Sequence, residues 1–231
     1  MASLEIHRAI QIAGVLDLDE GELLLRSGTD LVGFPLHLAY HPQEISDAAA
    51  ARIISALSSP EAAVLITYAD SCRELLELVR NTGISKVQVH SEMPIAELNA
   101  FRSEAPGILL VKSLIVGREG LAALRASVRR FSPFCDAFIL DTYDPSTGAC
   151  GATGMTHDWN VSRSLVEVSP RPVILAGGLT PANVGDAIRC VRPCGVDAHT
   201  GLEDQNGRKD PGLVRKFIKE ARSAFAETEE A

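Results

Sequence analysis

The chain has 231 residues, of which 46% are hydrophobic and 23% are charged, and its formal net charge is −8. This composition is typical of a folded protein with a sizeable core. The acidic excess argues against nucleic acid or an anionic membrane as the main partner, because those partners require clustered Lys and Arg.

The cysteines and the chain ends indicate a cytoplasmic protein. The five cysteines form an odd set without a CxxC pair, which indicates reduced thiols and no structural zinc: Cys72, Cys135, Cys150, Cys190 and Cys194. The first residues, MASLEIHRAI, lack a basic region followed by an apolar run, and no apolar stretch approaches the length of a membrane span. The acidic end, AFAETEEA, predicts a frayed tail over about residues 225–231.

Short apolar runs rich in Val, Ile and Leu alternate along the chain with longer amphipathic stretches. The runs are IQIAG (10–14), LVGFPL (31–36), AVLITY (63–68), KVQVH (86–90), ILLVKSL (108–114), AFILD (137–141), PVILA (172–176) and GVDA (195–198). Gly83 lies where a helix should end, while Thr180-Pro181 and Asp210-Pro211 each place a capping side chain before a proline.

Eight strands followed by eight helices predict an α/β fold, a single (β/α)8 TIM barrel over residues 1–231. The alternative, an open doubly wound sheet, needs a glycine-rich dinucleotide turn after the first strand. The sequence there, AGVLDLDEG, is not GxGxxG. The barrel therefore predicts a site at the C-terminal ends of the strands.

Two glycine loops predict a phosphate site at the ends of the last two strands. In VILAGGLTPANV, Gly177 and Gly178 end a buried strand, and in DAHTG the residues Thr200 and Gly201 follow the next one. Glycine lets the backbone approach a ligand, and free amides at a helix start suit an anion. In barrels the loops after strands seven and eight are the usual phosphate site.

The C-terminal part of the chain resembles phosphoribosylanthranilate isomerase of tryptophan biosynthesis. The family pattern has an LLD-T strand end, a GGTG loop leading to FDW, then LAGGL-P-NV, and GVDVSSGVE followed by G-KD. The similar stretches here are AFILDTYDPSTGACGATGMTHDW and VILAGGLTPANVGDAIRCVRPCGVDAHTGLEDQNGRKD, and KVQVHSE resembles the family's VQLHG.

The resemblance implies an Amadori rearrangement of a phosphorylated sugar derivative, which needs an acid at the ring oxygen and a base at the neighbouring carbon. Asp141 matches the family's general acid, and burial in an apolar barrel mouth would favour its neutral form. Asp197 matches the Asp of GVD and His90 the His of VQLHG, both as substrate-binding candidates. The glycine loops carry over as phosphate contacts. No cofactor or metal is implied, because the proton transfers need none and no cluster has ligand spacing.

Two positions depart from the family pattern. The family's first strand ends in KICG, with the cysteine as base, whereas this chain has QIAG with Ala13 at that position. Where the family reads SPR, its arginine holding the anthranilate carboxylate, this chain reads HPQ with Gln43. The candidates for the missing base are His199, which replaces a family serine, and three alternatives, His37, His41 and Cys150.

Three functions remain open from the sequence. The first is an isomerase of the family type acting on a phosphorylated sugar derivative, which we expect. The second is a relative with another reaction on a phosphorylated sugar, such as an aldolase in which Lys112 forms a Schiff base. The third is a phosphate-binding barrel without catalysis. In each case the expected partner is a small phosphorylated molecule rather than nucleic acid or membrane, and an oligomer is compatible with the sequence.

Overall fold

The computed structural model of the chain describes residues 6–39, 43–151 and 153–229. Eight parallel strands form a closed barrel in which each strand pairs with its neighbours along the chain and the last pairs with the first. The strands are β1 (Ala9–Ala13), β2 (Leu31–Leu36), β3 (Ala63–Thr67), β4 (Lys86–Val89), β5 (Leu109–Val116), β6 (Ala137–Thr142), β7 (Val173–Leu175) and β8 (Gly195–Ala198). The predicted barrel is confirmed, and every predicted apolar run overlaps one strand.

One helix follows each strand and packs on the outside of the barrel. The helices are α1 (Leu18–Arg26), α2 (Asp47–Ala56), α3 (Cys72–Thr82), α4 (Ile95–Glu104), α5 (Leu121–Phe131), α6 (Trp159–Val168), α7 (Val184–Val191) and α8 (Pro211–Glu229). Short 3-10 turns occur at Pro60–Ala62 and Thr200–Leu202. Among the described residues, no helix is both long and apolar enough to cross a membrane.

The helix ends confirm two predicted signals and correct a third. Gly83 ends α3 with a left-handed φ of 71°, and the Asp210 carboxylate accepts hydrogen bonds from the amides of Gly212 and Leu213 at the start of α8. The prediction that a helix begins at Pro181 is wrong. Asn183 Oδ1 accepts from the Thr180 amide at 2.8 Å, which closes a turn there, and α7 begins at Val184.

The acidic end is helical rather than frayed as far as Glu229, which corrects the expectation for residues 225–229. Phe225 is buried in the core, so the last turns of α8 are anchored by apolar packing. Glu227 also pairs with Arg189 of α7 at 2.8 Å. Residues 230–231 lie outside the described part of the chain.

Alternation along the strands divides the barrel into an outer and an inner surface. Outward side chains such as Phe34, Leu65 and Phe138 pack with the helices in the largest apolar cluster. Inward side chains such as Val111 and Ile139 form a smaller cluster. On β4, β6 and β8 the inward positions near the C-terminal ends are the polar residues Gln88, Asp141 and Asp197, which places polar groups at that end of the barrel.

Candidate active site

A cavity of about 310 Å³ opens at the C-terminal end of the barrel. All the predicted site residues except Gln43 line it, which brings together Ala13, His90, Asp141, Gly177, Gly178, Asp197, His199, Thr200 and Gly201. These residues come from five of the eight strands or from the loops that follow them. The cavity therefore joins the two glycine loops to the candidate acid and base.

The glycine loops offer backbone amides to the cavity. Within the described residues, the amides of Gly177 and Gly178 donate to no protein acceptor. Thr200 and Gly201 begin a 3-10 turn, so their amides also lack a partner within that turn. Converging free N–H groups of this kind form a site for an anion such as phosphate.

Close packing of the loops explains why a glycine is needed at position 178. Its φ is +59°, and a Cβ built there would lie 2.5 Å from the carbonyl carbon of Met155 and 2.7 Å from the Thr156 amide. Both contacts are with backbone atoms, which cannot rotate away. The β7 loop is thus pressed against the loop that follows β6.

We expect Gly178→Ala to lower the free energy of unfolding by about 2–4 kcal/mol, through left-handed strain and the backbone clash. It should also abolish the increase in melting temperature that inorganic phosphate gives the unchanged protein. Gly83→Ala is the matched control. Gly83 has a φ of +71° but nothing within 4 Å of the added Cβ, so it should show the strain alone and keep the phosphate effect. Equal losses of stability in the two variants would contradict the clash.

Two carboxyl groups, Asp141 on β6 and Asp197 on β8, lie close enough to interact electrostatically. Asp141 Oδ1 accepts a hydrogen bond from the Thr142 amide at 2.8 Å. Burial, and then the charge of Asp141, raise the pKa of Asp197 well above its usual range. Opposing contributions from Gln11 and Lys209 are smaller. Ionisation of Asp141 therefore opposes ionisation of Asp197.

His90 is buried at the end of β4, where it stacks obliquely on Tyr68 with ring centroids 5.4 Å apart. Burial, and then the positive charge of Lys112, lower the pKa of His90 to about 3. The imidazole is therefore uncharged at neutral pH and can donate from only one nitrogen.

His199 lies over the end of β1, next to Ala13. A Cβ built on Gly14 would lie 2.2 Å from His199 Nε2, so only glycine leaves room for the ring. His199 Nε2 is 3.2 Å from Glu203 Oε1, and the same oxygen accepts from Lys209 Nζ at 2.5 Å. Burial disfavours the charge of Glu203, but hydrogen bonds from His199 and Lys209 outweigh it and hold its pKa at about 2. A fixed carboxylate thus faces the imidazole.

Two of the other candidate bases, Cys150 and His37, do not line the described part of the cavity. Cys150 is buried with its Sγ 3.9 Å from the Gly148 carbonyl oxygen. His37 is held between Glu74 and Asp47 at 2.7 and 3.0 Å, on the outer side of the β2 loop. His41 lies outside the described residues.

The predicted roles of Lys112 and Gln43 are not supported by their positions. Lys112 faces outward, with Nζ 2.7 Å from the Ser113 carbonyl oxygen and 5.4 Å from the centre of the Phe131 ring. A Schiff base with a ligand in the barrel mouth is therefore out of its reach. Gln43 donates to the Ile45 carbonyl oxygen at 2.7 Å and shapes its own loop.

Sequence reasoning missed several residues of the site, namely Gln11, Gln88, Glu203 and Lys209. The two glutamines interrupt apolar strands at inward positions, and this interruption was the available signal. Glu203 and Lys209 fall within the GLEDQNGRKD stretch, where the resemblance gave them no role. Among the described residues, no group of three or more His, Cys, Asp or Glu side chains could hold a metal ion.

Comparisons with known proteins agree with this geometry. The family model for N-(5'-phosphoribosyl)anthranilate (PRA) isomerase matches residues 30–220. A relative from Methanosarcina mazei, named N-(5'-phosphoribosyl)anthranilate isomerase 2, is 37% identical over 217 residues, which cover 94% of this chain and 95% of that protein. The phosphoribosyl anthranilate isomerase of Thermotoga maritima has a TM-score of 0.78 at 28% identity, covering 94% and 99% of the two chains. A phosphoribosyl anthranilate isomerase in complex with reduced 1-(o-carboxyphenylamino)-1-deoxyribulose 5-phosphate has a TM-score of 0.76 at 26% identity, covering 94% and 99%.

Proposed function

The chain belongs to the N-(5'-phosphoribosyl)anthranilate isomerase family, and on that premise we propose that Asp141 is its general acid and His199 its general base. The protein is an aldose–ketose isomerase of the tryptophan-biosynthesis type that acts on a phosphoribosyl sugar substrate. The observation that carries the proposed roles is that both side chains line one cavity together with the free amides of the glycine loops.

The reaction requires four proton transfers, two to the substrate and two from it, so there is no net change in protons. Asp141 donates its proton to the furanose ring oxygen as the bond from that oxygen to C1 breaks, which gives a protonated imine at C1. His199 removes the proton from C2, and the electron pair of that C–H bond forms the C1–C2 double bond while the nitrogen becomes neutral. Return of a proton to C1 and loss of the C2 hydroxyl proton then give the aminoketose.

The hydrogen bond between His199 and Glu203 supports the role of base. A carboxylate accepts only, so the nitrogen that faces Glu203 must be protonated in a neutral imidazole. Nε2 therefore carries the hydrogen, and Nδ1 keeps the lone pair that accepts the substrate proton. Lys209 contacts the same Glu203 oxygen and fixes the carboxylate that holds the imidazole in this orientation.

The amides of Gly177, Gly178, Thr200 and Gly201 are proposed to bind the substrate phosphate. A ligand held there extends across the barrel mouth toward Asp141. The phosphate-bearing ligand of the similar solved complex supports this part of the proposal, since its printed name describes a reduced deoxyribulose 5-phosphate. We further propose a cytoplasmic location and a small phosphorylated metabolite, rather than nucleic acid or a membrane surface, as the partner. The net charge of −8 and the five free thiols support both points.

One observation favours a second substrate within the same reaction class. In the described part of the cavity wall the charged side chains are acidic, including Glu44 and Glu203, and neither Arg nor Lys lines it. A carboxylate on the amine half of the substrate lacks the planar cationic partner that would suit it. The second candidate is therefore a phosphoribosylamine derivative whose amine substituent carries no carboxylate.

Turnover of two substrates by the purified protein tests both candidates. Freshly generated phosphoribosylanthranilate should be consumed, as measured by loss of its fluorescence, and phosphoribosylaniline, which lacks the carboxylate, should be followed in parallel by absorbance and product analysis. Higher kcat/KM on the anthranilate supports the family substrate, and higher kcat/KM on the aniline supports the second candidate. Turnover of neither substrate, with phosphate still raising the melting temperature, would overturn the catalytic proposal.

A further inference from the structure

A series of hydrogen-bonded side chains crosses the interior of the barrel below the cavity. Gln11 Nε2 on β1 donates to Gln88 Oε1 on β4 at 2.9 Å, and Gln88 Nε2 lies 2.7 Å from His90 Nε2. All three side chains are buried. Burying two glutamine side chains lowers the stability of the fold unless their polar groups are hydrogen-bonded. The hydrogen bonds therefore restrict the two amides to a defined orientation.

The direction of this series is set at its far end by Asp197. Gln11 and Asp197 are register partners on β1 and β8, and the Gln11 amide acts on Asp197 as a hydrogen-bond donor. Gln11 therefore presents Nε2 to its neighbours. Gln88 must then present Oε1 to Gln11 and its own Nε2 to His90.

An amide nitrogen only donates, so His90 Nε2 must be the acceptor and the ring proton must be on Nδ1. His90 Nδ1 is buried and has no partner among the described residues. It lies beside the acid: a Cβ built on Gly151 would be 3.4 Å from His90 Nδ1 and 2.5 Å from Asp141 Oδ2. Both atoms thus face the same side of Gly151.

We propose that Gln11 and Gln88 are positioning residues, which hold His90 in its Nδ1-protonated tautomer so that a neutral N–H stabilises the Asp141 carboxylate after its proton has left. In the opposite tautomer a nitrogen lone pair would face that carboxylate and oppose its formation. The inference rests on the proposed role of Asp141 as acid. In this arrangement the two buried amides orient His90, and His90 affects the reaction through Asp141 rather than through contact with the substrate.

Imidazole nitrogen shifts in uniformly 15N-labelled protein report the tautomer directly. In the unchanged protein, His90, assigned by its disappearance in His90→Gln, should show a protonated Nδ1 and an unprotonated Nε2 across neutral pH. Gln11→Met, which does not touch His90, removes the donor to Gln88 Oε1 and frees the Gln88 amide to reverse. The Nδ1-protonated fraction of His90 should then fall, and kcat should decrease about tenfold with KM unchanged.

Ser113→Ala is the matched control, because Ser113 is a buried polar residue on β5 whose hydroxyl hydrogen-bonds to neither glutamine. It should alter neither the tautomer nor kcat. A protonated Nε2 in the unchanged protein, or a fall in kcat without a change of tautomer in Gln11→Met, overturns the inference. If Gln11→Met does not fold, Gln88→Met should give the same two effects. The NMR measurement needs no substrate, so it separates a failure of this inference from a failure of the proposed function.

Discussion

Asp141→Asn is expected to reduce kcat on the preferred substrate by about 10²–10⁴-fold while leaving the melting temperature unchanged or higher. Asparagine has nearly the same shape, and its oxygen can still accept from the Thr142 amide, as Asp141 Oδ1 does at 2.8 Å. It cannot donate the proton that opens the furanose ring. The variant also removes the charge of Asp141 that contributes to the raised pKa of buried Asp197, so we expect no loss of stability from this change. Turnover assays measure the change in kcat, and thermal unfolding measures the melting temperature.

The control for this variant lies at the opposite end of the same strand. Asp136 precedes β6 and accepts from Arg102 at 2.8 Å and from the Leu110 amide at 2.8 Å. Asp136→Asn should lower the free energy of unfolding by about 1–3 kcal/mol and keep kcat. Full activity in Asp141→Asn would exclude Asp141 as the acid. A loss of activity accompanied by a loss of stability like that of Asp136→Asn would indicate a structural role instead.

The strands were predictable because parallel strands inside a barrel are buried on both faces and therefore appear as continuous apolar runs. The runs LVGFPL and GVDA have the same limits as β2 and β8. The start of α7 was not predictable from Thr180-Pro181, because the capping signal there serves a turn. The end of α8 was misjudged for a different reason: its charge pattern resembles a solvated tail, while Phe225 and the pair between Glu227 and Arg189 anchor it.

Within the site, the sequence identified groups that end strands but not groups inside them. Asp141 and the glycine pair lie at strand ends, where a polar residue or a glycine interrupts the apolar run and is easily recognised in the sequence. The Schiff-base alternative for Lys112 fails because the direction of a strand side chain depends on its parity: Val111 and Ser113 point inward, so Lys112 points outward. The connection from Gln11 to Gln88 spans opposite sides of the barrel, and no local pattern relates residues so far apart in sequence.

We propose that His199, together with Glu203 and Lys209, takes the place of a cysteine at position 13. Ala13 provides only a methyl group, but the His199 ring lies over the adjacent Gly14. Its carboxylate partner is itself fixed by Lys209, whose ammonium group is fully buried. Under the proposed roles, the base reaches the end of β1 from the β8 loop rather than from β1 itself.

His199→Asn is accordingly expected to lower kcat by about 10²–10⁴-fold, because asparagine cannot accept the proton from the sugar carbon. Binding of inorganic phosphate, measured as the increase in melting temperature, should persist, since the loop amides remain. His7→Asn is the control: His7 is exposed and pairs with Glu229, far from the cavity lining, and its replacement should leave kcat unchanged.

The stricter test places a base back on β1. In the His199→Asn background, Ala13→Cys puts a thiol at the end of β1 next to Gly14, where removal of the imidazole has opened space. We expect kcat to recover at least about tenfold relative to His199→Asn alone, since a thiolate is an effective base once it forms. With His199 present, Ala13→Cys should not raise kcat, because the imidazole already supplies the base and occupies the space above Gly14. Full activity in His199→Asn, or an equal effect of Ala13→Cys in both backgrounds, would show that the proton is taken by another group.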